Sequence, residues 1–491
     1  MAGVLEEAAR ATNVRLTFDF IGTLDGSQAV AEGKAGGKYD AIWFPSNRYL
    51  SIIPDASKRL SASTKIMASP VTLGLKRRVA RELGWDKKSP TWRDIAKAAK
   101  AKKFSYGMTD PSASNSGFSA LVGVASALSG GGTAIDAKRA IDVAAELRRF
   151  FSGQTMTSGS SGWLADQFVK KSGKKGGSDG LINYESVLLG LNAEGKLKEP
   201  LTVVIPADGV VTADYPLTLL SGADARTRAA YNTITDWLRT PAAQKMIMEK
   251  TSRRPAVPGV GLDARFGDRL LVELPFPAQR AVVDGLISSY LNSIRRASQT
   301  IYVLDMSGSM RGRRIETLRS ALTSLCDGPS KAGSRRFTSF RERETVSLIG
   351  YSDTARRPRV FTIPAGGSDE VLAEIRSAVG DLEVGGYTAT YSGLEAAYRL
   401  AAKQTAARPG ALTTIVLMTD GETNRGPTTP EFRTYYRGLP RAARAVPTFT
   451  VKFGSADASV LSTVSELTGG KLFVVQGDNL TAAFKEIRGY Q

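Results

Sequence analysis

Apolar runs of strand length alternate with segments of helical periodicity along most of the chain, and this alternation predicts an α/β protein. In the first part of the chain, the runs that predict strands are residues 14–20, 39–45, 71–75, 105–109, 180–184 and 201–206. Helical periodicity is found at residues 91–101, 116–129, 138–151, 162–171 and 227–250. Closely spaced proline and glycine residues predict irregular chain at 251–261 and 272–279.

A helix predicted at about 280–297 leads into a second alternating series, which is typical of a doubly wound sheet. The predicted strands of this series are residues 300–304, 345–351, 413–419, 447–453 and 471–475. The predicted helices are residues 313–326, 368–380, 391–406, 457–468 and 479–488. Because 491 residues are too many for one ordinary core, we predict two domains, at 1–275 and 299–491, with a linker helix at 276–298.

Composition excludes several chemistries. Histidine is absent and the single cysteine is Cys326, so histidine-dependent catalysis, imidazole zinc sites and a disulfide within the chain are excluded. The apolar helical context of Cys326 is typical of a buried structural thiol. The net charge of +19 is spread over both halves without interleaved aromatic residues, which favours an anionic envelope or an acidic partner over specific nucleic-acid binding.

The strand predicted at 300–304 ends in an unusual polar pattern, with Asp305, Ser307 and Ser309 spaced two residues apart. Thr388 follows a pair of glycines before a predicted helix, and Asp420 follows the strand predicted at 413–419. Because ligand sites of open α/β sheets lie at the carboxyl ends of the strands, we expect these side chains to meet at one edge. All of them offer oxygen, which suits Mg²⁺, Mn²⁺ or Ca²⁺ and disfavours zinc.

These three elements, in this order, resemble the metal-ion-dependent adhesion site of the von Willebrand factor type A domain, a Rossmann-like doubly wound fold. The resemblance implies that the hydroxyls of Ser307, Ser309 and Thr388 bind the metal directly. It also implies that Asp305 and Asp420 act mostly through water or hydrogen bonds. One metal position would stay open for a carboxylate of a partner protein.

The sequence departs from the family pattern at Tyr387, which separates the paired glycines from Thr388 and makes Thr390 an alternative ligand. The oxygen cluster also resembles that of haloacid-dehalogenase-type phosphatases. Those enzymes need a second aspartate two residues after the first, where this chain has Ser307. We therefore expect a binding protein and not an enzyme.

In the first domain, serine, threonine and glycine residues precede or begin the helices predicted at 116–129 and 162–171. Such helix N-termini bind anions, although ordinary N-capping explains the same residues. Residues 1–275 also resemble type 2 periplasmic solute-binding proteins of ABC transporters, in the stretches YDAIWFPSNRYL, IMASPVTLGLKR, SPTWRDIAKAAK, MTDPSASNSGFSALVG, INYESVLLGLN and VVIPADGVVTADYPLTLL.

This second resemblance implies two α/β lobes that close over a ligand, with chain crossings near 70–75 and 205–215. The ligand groups that it implies are Ser46, Asn47, Ser69, Ser114, Asn115, Ser116, Ser160, Ser161, Tyr184 and Tyr215. The first strand of that family would precede residue 1, so we expect the first lobe to lack it. The ligand would be a small molecule, in particular an oxyanion.

The two resemblances together are typical of an actinobacterial-type envelope protein. We expect metal-dependent capture of a carboxylate-bearing partner, combined with recognition by the first domain, in an extracytoplasmic location. No run of apolar residues is long enough for a membrane span and the N-terminus is not a signal peptide, so any anchor would lie outside this sequence. Two alternatives stay open: a solute receptor of an ABC transporter, and a cytoplasmic cochaperone of an AAA+ ATPase.

Overall fold

The structure is a computed structural model that describes residues 1–174, 177–327, 337, 339–454, 456, 458–475 and 480–490. Contacts divide it into two compact units, Met1–Ser289 and Tyr290–Gln491, which we call the first unit and the second unit. The division falls inside the segment 276–298 that the sequence assigns to a linker. Among the described residues, none of the helices has the length and apolar character that a membrane crossing requires.

The strands and helices of the first unit alternate, as the sequence predicts. The strands are β1 (Ala41–Trp43), β2 (Leu60–Lys65), β3 (Met67–Lys76), β4 (Tyr106–Thr109), β5 (Gln154–Ser158), β6 (Gly180–Tyr184), β7 (Leu201–Val204), β8 (Thr212–Ala213), β9 (Pro216–Leu220) and β10 (Arg254–Pro255). The helices are α1 (Ala2–Thr12), α2 (Thr23–Ala31), α3 (Arg48–Ser51), α4 (Arg77–Glu82), α5 (Trp92–Lys100), α6 (Asn115–Leu128), α7 (Ala137–Asp142), α8 (Ala144–Phe151), α9 (Ser161–Lys171), α10 (Glu185–Ala193), α11 (Ala225–Leu238), α12 (Pro241–Thr251) and α13 (Arg280–Ser289).

Two sheets organise the first unit. One has the order β1-β9-β2, and the other has the order β10-β3-β6-β4-β5, with β7 and β8 also paired to β3. The chain passes from one sheet to the other at Ile66, between β2 and β3, and at residues 214–215, between β8 and β9. It passes a third time between β9 and β10, through α11 and α12. These passages between two sheets give the two-lobed arrangement that the sequence predicts.

Three predicted elements of the first unit are wrong in detail. Residues 14–20 pair with no described strand, residues 17–20 are all exposed, and Phe20 is 95% exposed. The helix predicted at 227–250 is two helices, because Pro241 starts α12 with its ring at the first turn, where no amide hydrogen is needed. The helix predicted at 138–151 is likewise divided at Val143.

The second unit contains one sheet of order β13-β12-β11-β14-β15-β16, in which β13 alone is antiparallel to its neighbour. Its strands are β11 (Ser298–Asp305), β12 (Thr345–Tyr351), β13 (Arg359–Thr362), β14 (Leu412–Thr419), β15 (Thr448–Lys452) and β16 (Leu472–Val474). Its helices are α14 (Arg313–Leu325), α15 (Asp369–Gly380), α16 (Thr390–Ala407), α17 (Thr429–Gly438), α18 (Arg441–Arg444), α19 (Ala458–Thr468) and α20 (Leu480–Arg488).

The central strands β11 and β12 are buried at every residue, as expected for a parallel sheet covered on both faces. β13, α17 and α18 were not predicted from the sequence. The helix predicted at 280–297 ends at Ser289, and a π-helical turn, Tyr290–Ile294, follows it. The helices predicted at 457–468 and 479–488 each have a first residue that lies outside the described residues.

Candidate functional site

The first candidate site lies at the carboxyl edge of the sheet in the second unit. β11 runs parallel to both β12 and β14, and Asp305 at the end of β11 is level with Tyr351 at the end of β12. Asp420 directly follows the last residue of β14. The fold therefore brings both predicted carboxylates to one edge, because adjacent parallel strands end together.

A chain of hydrogen bonds joins four of the five predicted metal-site residues. The Ser307 amide donates to Asp305 Oδ1 over 2.8 Å. The Ser307 and Ser309 hydroxyl oxygens lie 2.9 Å apart, and Ser309 Oγ donates to Asp420 Oδ1 over 2.8 Å. The Asp-x-Ser-x-Ser turn thus spans from one carboxylate to the other.

Thr388 reaches the same place despite the intervening Tyr387. A methyl group on Gly421 would lie 3.6 Å from Ser309 Oγ and 3.9 Å from Thr388 Oγ1, so both hydroxyls face this glycine. Two hydrogen bonds from Asn424 hold Thr388. The side-chain oxygen of Asn424 accepts from the Thr388 backbone amide over 2.8 Å, and the backbone amide of Asn424 donates to the Thr388 carbonyl over 3.1 Å. Tyr387 is 56% exposed, so its side chain is directed away from the buried oxygens.

The paired glycines that precede Tyr387 have separate structural reasons. Gly386 has φ +82°, and a methyl group there would lie 2.1 Å from Asp353 Oδ2, so only glycine fits. Its carbonyl accepts from the Gly308 amide over 3.0 Å, and the Gly385 amide donates to the Met306 carbonyl over 2.8 Å. These backbone bonds fasten the loop before α16 to the loop after β11.

Both carboxylates are fully buried, which concentrates negative charge at the sheet edge. Burial raises the pKa of Asp305, and the nearby charge of Asp420 raises it further, while hydrogen bonds from Thr419 and Ser307 oppose the shift. Thr419 Oγ1 donates to Asp305 Oδ2 over 2.6 Å. Burial also raises the pKa of Tyr351 far above its ordinary value, and Asp305 contributes to that shift.

The donor chemistry of this cluster fits a hard divalent cation. Hydroxyl and carboxylate oxygens are preferred by Mg²⁺, Mn²⁺ and Ca²⁺. No group of three or more histidine, cysteine, aspartate or glutamate side chains suited to a metal occurs within the described ranges. The residues that would hold the cation are therefore the hydroxyls of Ser307, Ser309 and Thr388 beside the two aspartates.

Sequence reasoning missed three residues that position this cluster. Thr419 is the last residue of β14 and Asn424 lies in the loop that follows it, and polar side chains at the end of a buried strand were a signal that could have found them. Arg314, in the first turn of α14, forms an ion pair with Asp420. No local pattern indicated that contact, because the two residues are distant in the sequence.

The second candidate site lies in the first unit, where the structure joins several predicted residues at the N-termini of α6 and α9. The Ser116 hydroxyl lies 2.6 Å from that of Ser161 and 3.3 Å from that of Ser114. Asn115 Nδ2 donates to the Tyr184 hydroxyl over 3.0 Å, and the Tyr184 and Tyr215 ring centroids are 6.1 Å apart. The other predicted ligands are used elsewhere.

Those other residues stabilise the local backbone. Ser69 Oγ accepts from the Ser186 amide over 3.0 Å, Ser160 Oγ caps α9, and Ser46 Oγ accepts from the Arg48 amide over 3.3 Å. Asn47 Nδ2 donates to Thr218 on β9 over 2.8 Å. The capping interpretation that the sequence left open therefore applies to Ser160.

Tyr215 combines three features at the crossing between β8 and β9. It has φ +41°, which is unusual for a residue with a bulky side chain. Its hydroxyl is buried and forms no hydrogen bond with a described residue. The Arg253 guanidinium, which the sequence analysis missed, lies over its ring at 4.8 Å. Burial raises the pKa of Tyr215, and Arg253 opposes that shift.

Comparisons with known proteins agree with the two units. Residues 301–487 match the family model of the von Willebrand factor type A domain, and residues 68–269 match that of the bacterial extracellular solute-binding proteins. The chain therefore contains a solute-binding-protein-like domain followed by a type A domain, which confirms the predicted families, their order and the fold class.

Among curated proteins, inter-alpha-trypsin inhibitor heavy chain H4 of Bos taurus and of Homo sapiens are each 32% identical over 133 residues. That alignment covers 26% of this chain and only 13% of those relatives.

Solved structures that match this chain include a von Willebrand factor type A protein from Catenulispora acidiphila. It has 18% identity and a TM-score of 0.31, and the match covers 40% of this chain and 42% of that one. A periplasmic thiamin binding protein has 14% identity and a TM-score of 0.45, and the match covers 59% of this chain and 89% of that one.

Proposed function

We propose that the second unit binds a divalent cation, Mg²⁺ or alternatively Mn²⁺ or Ca²⁺, and through it a carboxylate of a partner protein. The observation that supports this most is the convergence of two fully buried aspartates with three hydroxyls at one sheet edge. A bound cation would supply charge neutralisation and an open coordination position. We infer that the unit works by binding and not by catalysis, since no acid stands two residues after Asp305.

The chain's own residues have distinct roles in this proposal. Ser307, Ser309 and Thr388 present hydroxyl oxygens, and Asp305 orients the turn by accepting from the Ser307 amide. Thr419 in turn orients Asp305. Because these side chains are fixed by backbone contacts before any ligand arrives, binding requires little ordering of the site.

Calorimetric titration of Mg²⁺ and Mn²⁺ into chelator-treated protein tests the cation site. We expect saturable binding that is lost in Asp305→Asn and in Thr388→Val. Thr405→Val is the matched control, because Thr405 donates to the Ala401 carbonyl near the far end of α16. Equal binding in all four proteins would refute the assignment of these ligands.

The carboxylate step needs a probe that separates coordination from simple charge attraction, because the net charge of +19 attracts any polyanion. Poly-glutamate fixed to a sensor surface serves this purpose at high salt, where screened attraction weakens. The part of the binding that disappears both with chelator and in Asp305→Asn reports the metal-bridged carboxylate. Identical binding with and without chelator would count against the proposal.

A second candidate function is small-ligand binding in the first unit. It is favoured by the buried hydroxyl of Tyr215, which lies beside Arg253 and has no hydrogen-bond partner among the described residues. A guanidinium close to neutral donors suits an anionic ligand. Trp43 is a natural reporter, because its indole nitrogen donates to the Tyr215 carbonyl over 2.8 Å.

Phosphate, sulfate and succinate can be titrated while tryptophan fluorescence is recorded. We expect a saturable change with one of them, and weaker affinity in Tyr215→Phe but not in Tyr387→Phe, which removes an exposed hydroxyl from the second unit. No saturable change with any of the three anions would argue against an oxyanion receptor. Extracytoplasmic placement is part of the same proposal, and fractionation of the source cells would test it.

A further inference from the structure

Arg314 lies inside the candidate metal site, where it pairs with the carboxylate that a cation would need. Its Nη1 contacts Asp420 Oδ2 and also donates to the Ser309 carbonyl over 3.3 Å. The guanidinium packs against Gly454, where a methyl group would lie 3.3 Å from its central carbon. The Arg314 side chain is 38% exposed, whereas that of Asp420 is fully buried.

The two oxygens of Asp420 therefore have different partners. Oδ1 accepts from the Ser309 hydroxyl and Oδ2 pairs with Arg314. A divalent cation held by the Ser309 hydroxyl would be close to the same carboxylate and would repel the guanidinium. Because Asp420 is fully buried, its charge interacts strongly with cations at such short range, although solvent screens the partly exposed Arg314 in part.

We propose that Arg314 is a built-in competitor for the metal: it neutralises Asp420 and must release this carboxylate when a divalent cation binds. Arg314 then lowers the metal affinity of the second unit and keeps Asp420 paired when metal is scarce. This inference rests on the proposed function of the same site. It adds a residue that regulates occupancy without being a ligand.

The test compares Arg314→Gln with wild type in Mn²⁺ titrations of chelator-treated full-length protein. We expect Arg314→Gln to bind Mn²⁺ more tightly, by on the order of tenfold, because a like charge has been removed from beside the cation. Arg313→Gln is the matched control, since it removes the same charge from the same helical turn without changing the Arg314–Asp420 pair. We expect its affinity to stay close to that of wild type.

Thermal unfolding provides a second readout that does not depend on partner binding. With chelator, Arg314→Gln should unfold at a lower temperature than wild type, because Asp420 has lost its counter-charge. With saturating Mn²⁺, the two proteins should unfold at similar temperatures, because the cation replaces the guanidinium as the counter-charge of Asp420. A purely structural role for Arg314 would lower the unfolding temperature equally in both conditions.

The possible outcomes distinguish competition by Arg314 from the proposed cation binding on which it depends. Tighter binding in Arg314→Gln, or binding that is measurable only in that variant, supports competition. Saturable binding of equal or lower affinity in Arg314→Gln overturns the role of Arg314 and leaves the metal site standing. Absence of saturable binding in both proteins overturns the metal site and the competition together.

Discussion

The buried ion pair between Glu344 and Arg488 gives a quantitative prediction for the second unit. Both side chains are almost fully buried, and Arg488 Nη2 donates to Glu344 Oε2 over 2.8 Å while its other terminal nitrogen contacts Oε1. Burial by itself would raise the pKa of Glu344, but the charges of Arg488, Arg295 and Arg341 lower it below its ordinary value. One carboxylate therefore balances several guanidinium groups.

Because one carboxylate balances several guanidinium groups, replacing Glu344 should cost more stability than replacing Arg488. Glu344→Gln would leave the guanidinium groups facing each other without the carboxylate, whereas Arg488→Met would leave the carboxylate with Arg295 and Arg341. Removing one partner of a buried ion pair costs about 3–5 kcal/mol. We expect the loss in the free energy of unfolding to be near the upper end of this range for Glu344→Gln, about 5 kcal/mol, and near the lower end for Arg488→Met, about 3 kcal/mol.

The amino-acid composition allows unfolding of the second unit to be followed separately in the intact chain. All five tryptophans precede residue 290, and the only cysteine, Cys326, lies in the second unit. Pulse labelling of the Cys326 thiol during a urea series therefore reports unfolding of the second unit, while tryptophan fluorescence reports the first. With a urea slope of about 2 kcal/mol/M, a loss of about 5 kcal/mol in Glu344→Gln should lower the labelling midpoint by about 2.5 M.

The order of the two variants is the decisive result. If Arg488→Met lowers the Cys326 labelling midpoint as much as Glu344→Gln does, then the surplus of positive charge around Glu344 has no energetic effect and the reasoning fails. The tryptophan transition should stay unchanged in both variants. A shift there would show that the units do not unfold independently.

Further predictions concern pH, the thiol and the metal-site loop. Folding lowers the pKa of Glu344, so the stability that this carboxylate contributes is fully present above its ordinary pKa of 4.5 and is lost as pH falls through the folded pKa. The difference in urea midpoint of Cys326 labelling between wild type and Glu344→Gln should therefore shrink on acidification. Burial raises the pKa of Cys326 to about 12, so Ellman's reagent at neutral pH should not label the native protein but should label it in urea. Gly386→Ala should weaken Mn²⁺ binding and cost about 1–3 kcal/mol, unlike Gly438→Ala, where a methyl group meets nothing within 4 Å.

The convergence of the candidate metal-site residues could be predicted because their signal is local. A polar triplet at the end of a buried strand is visible in a dozen residues, and parallel strands bring such ends together without further information. The reason for Gly386 could not be predicted, because it depends on contact with Asp353, which is far away in the sequence. The same holds for Arg314, whose partner Asp420 is on another strand loop.

The errors in the first unit have equally specific causes. Residues 14–20 have the alternation of a strand, but a strand also needs a hydrogen-bonded neighbour, and alternation does not report one. The break between α11 and α12 was readable, since Thr240 followed by Pro241 is a helix-start signal inside the predicted helix. Gly117 begins one of the helices for which the sequence left anion binding and N-capping both open. A methyl group there would lie 2.2 Å from the Thr109 carbonyl oxygen, so packing against β4 accounts for this glycine.

The backbone bonds that fasten the metal-site loops to each other divide the surface into two sets of positions. The loop before α16 is held through main-chain atoms of Met306, Gly308 and Gly385, and the side chains at exposed positions other than Gly386 take no part in those bonds. Tyr387 and Arg425, whose side chains stack at 5.3 Å, occupy such positions. Substitutions at these positions can therefore change the surface around the site without altering the oxygens inside it. Under the proposed function, the choice of partner and the affinity for a cation would then change independently.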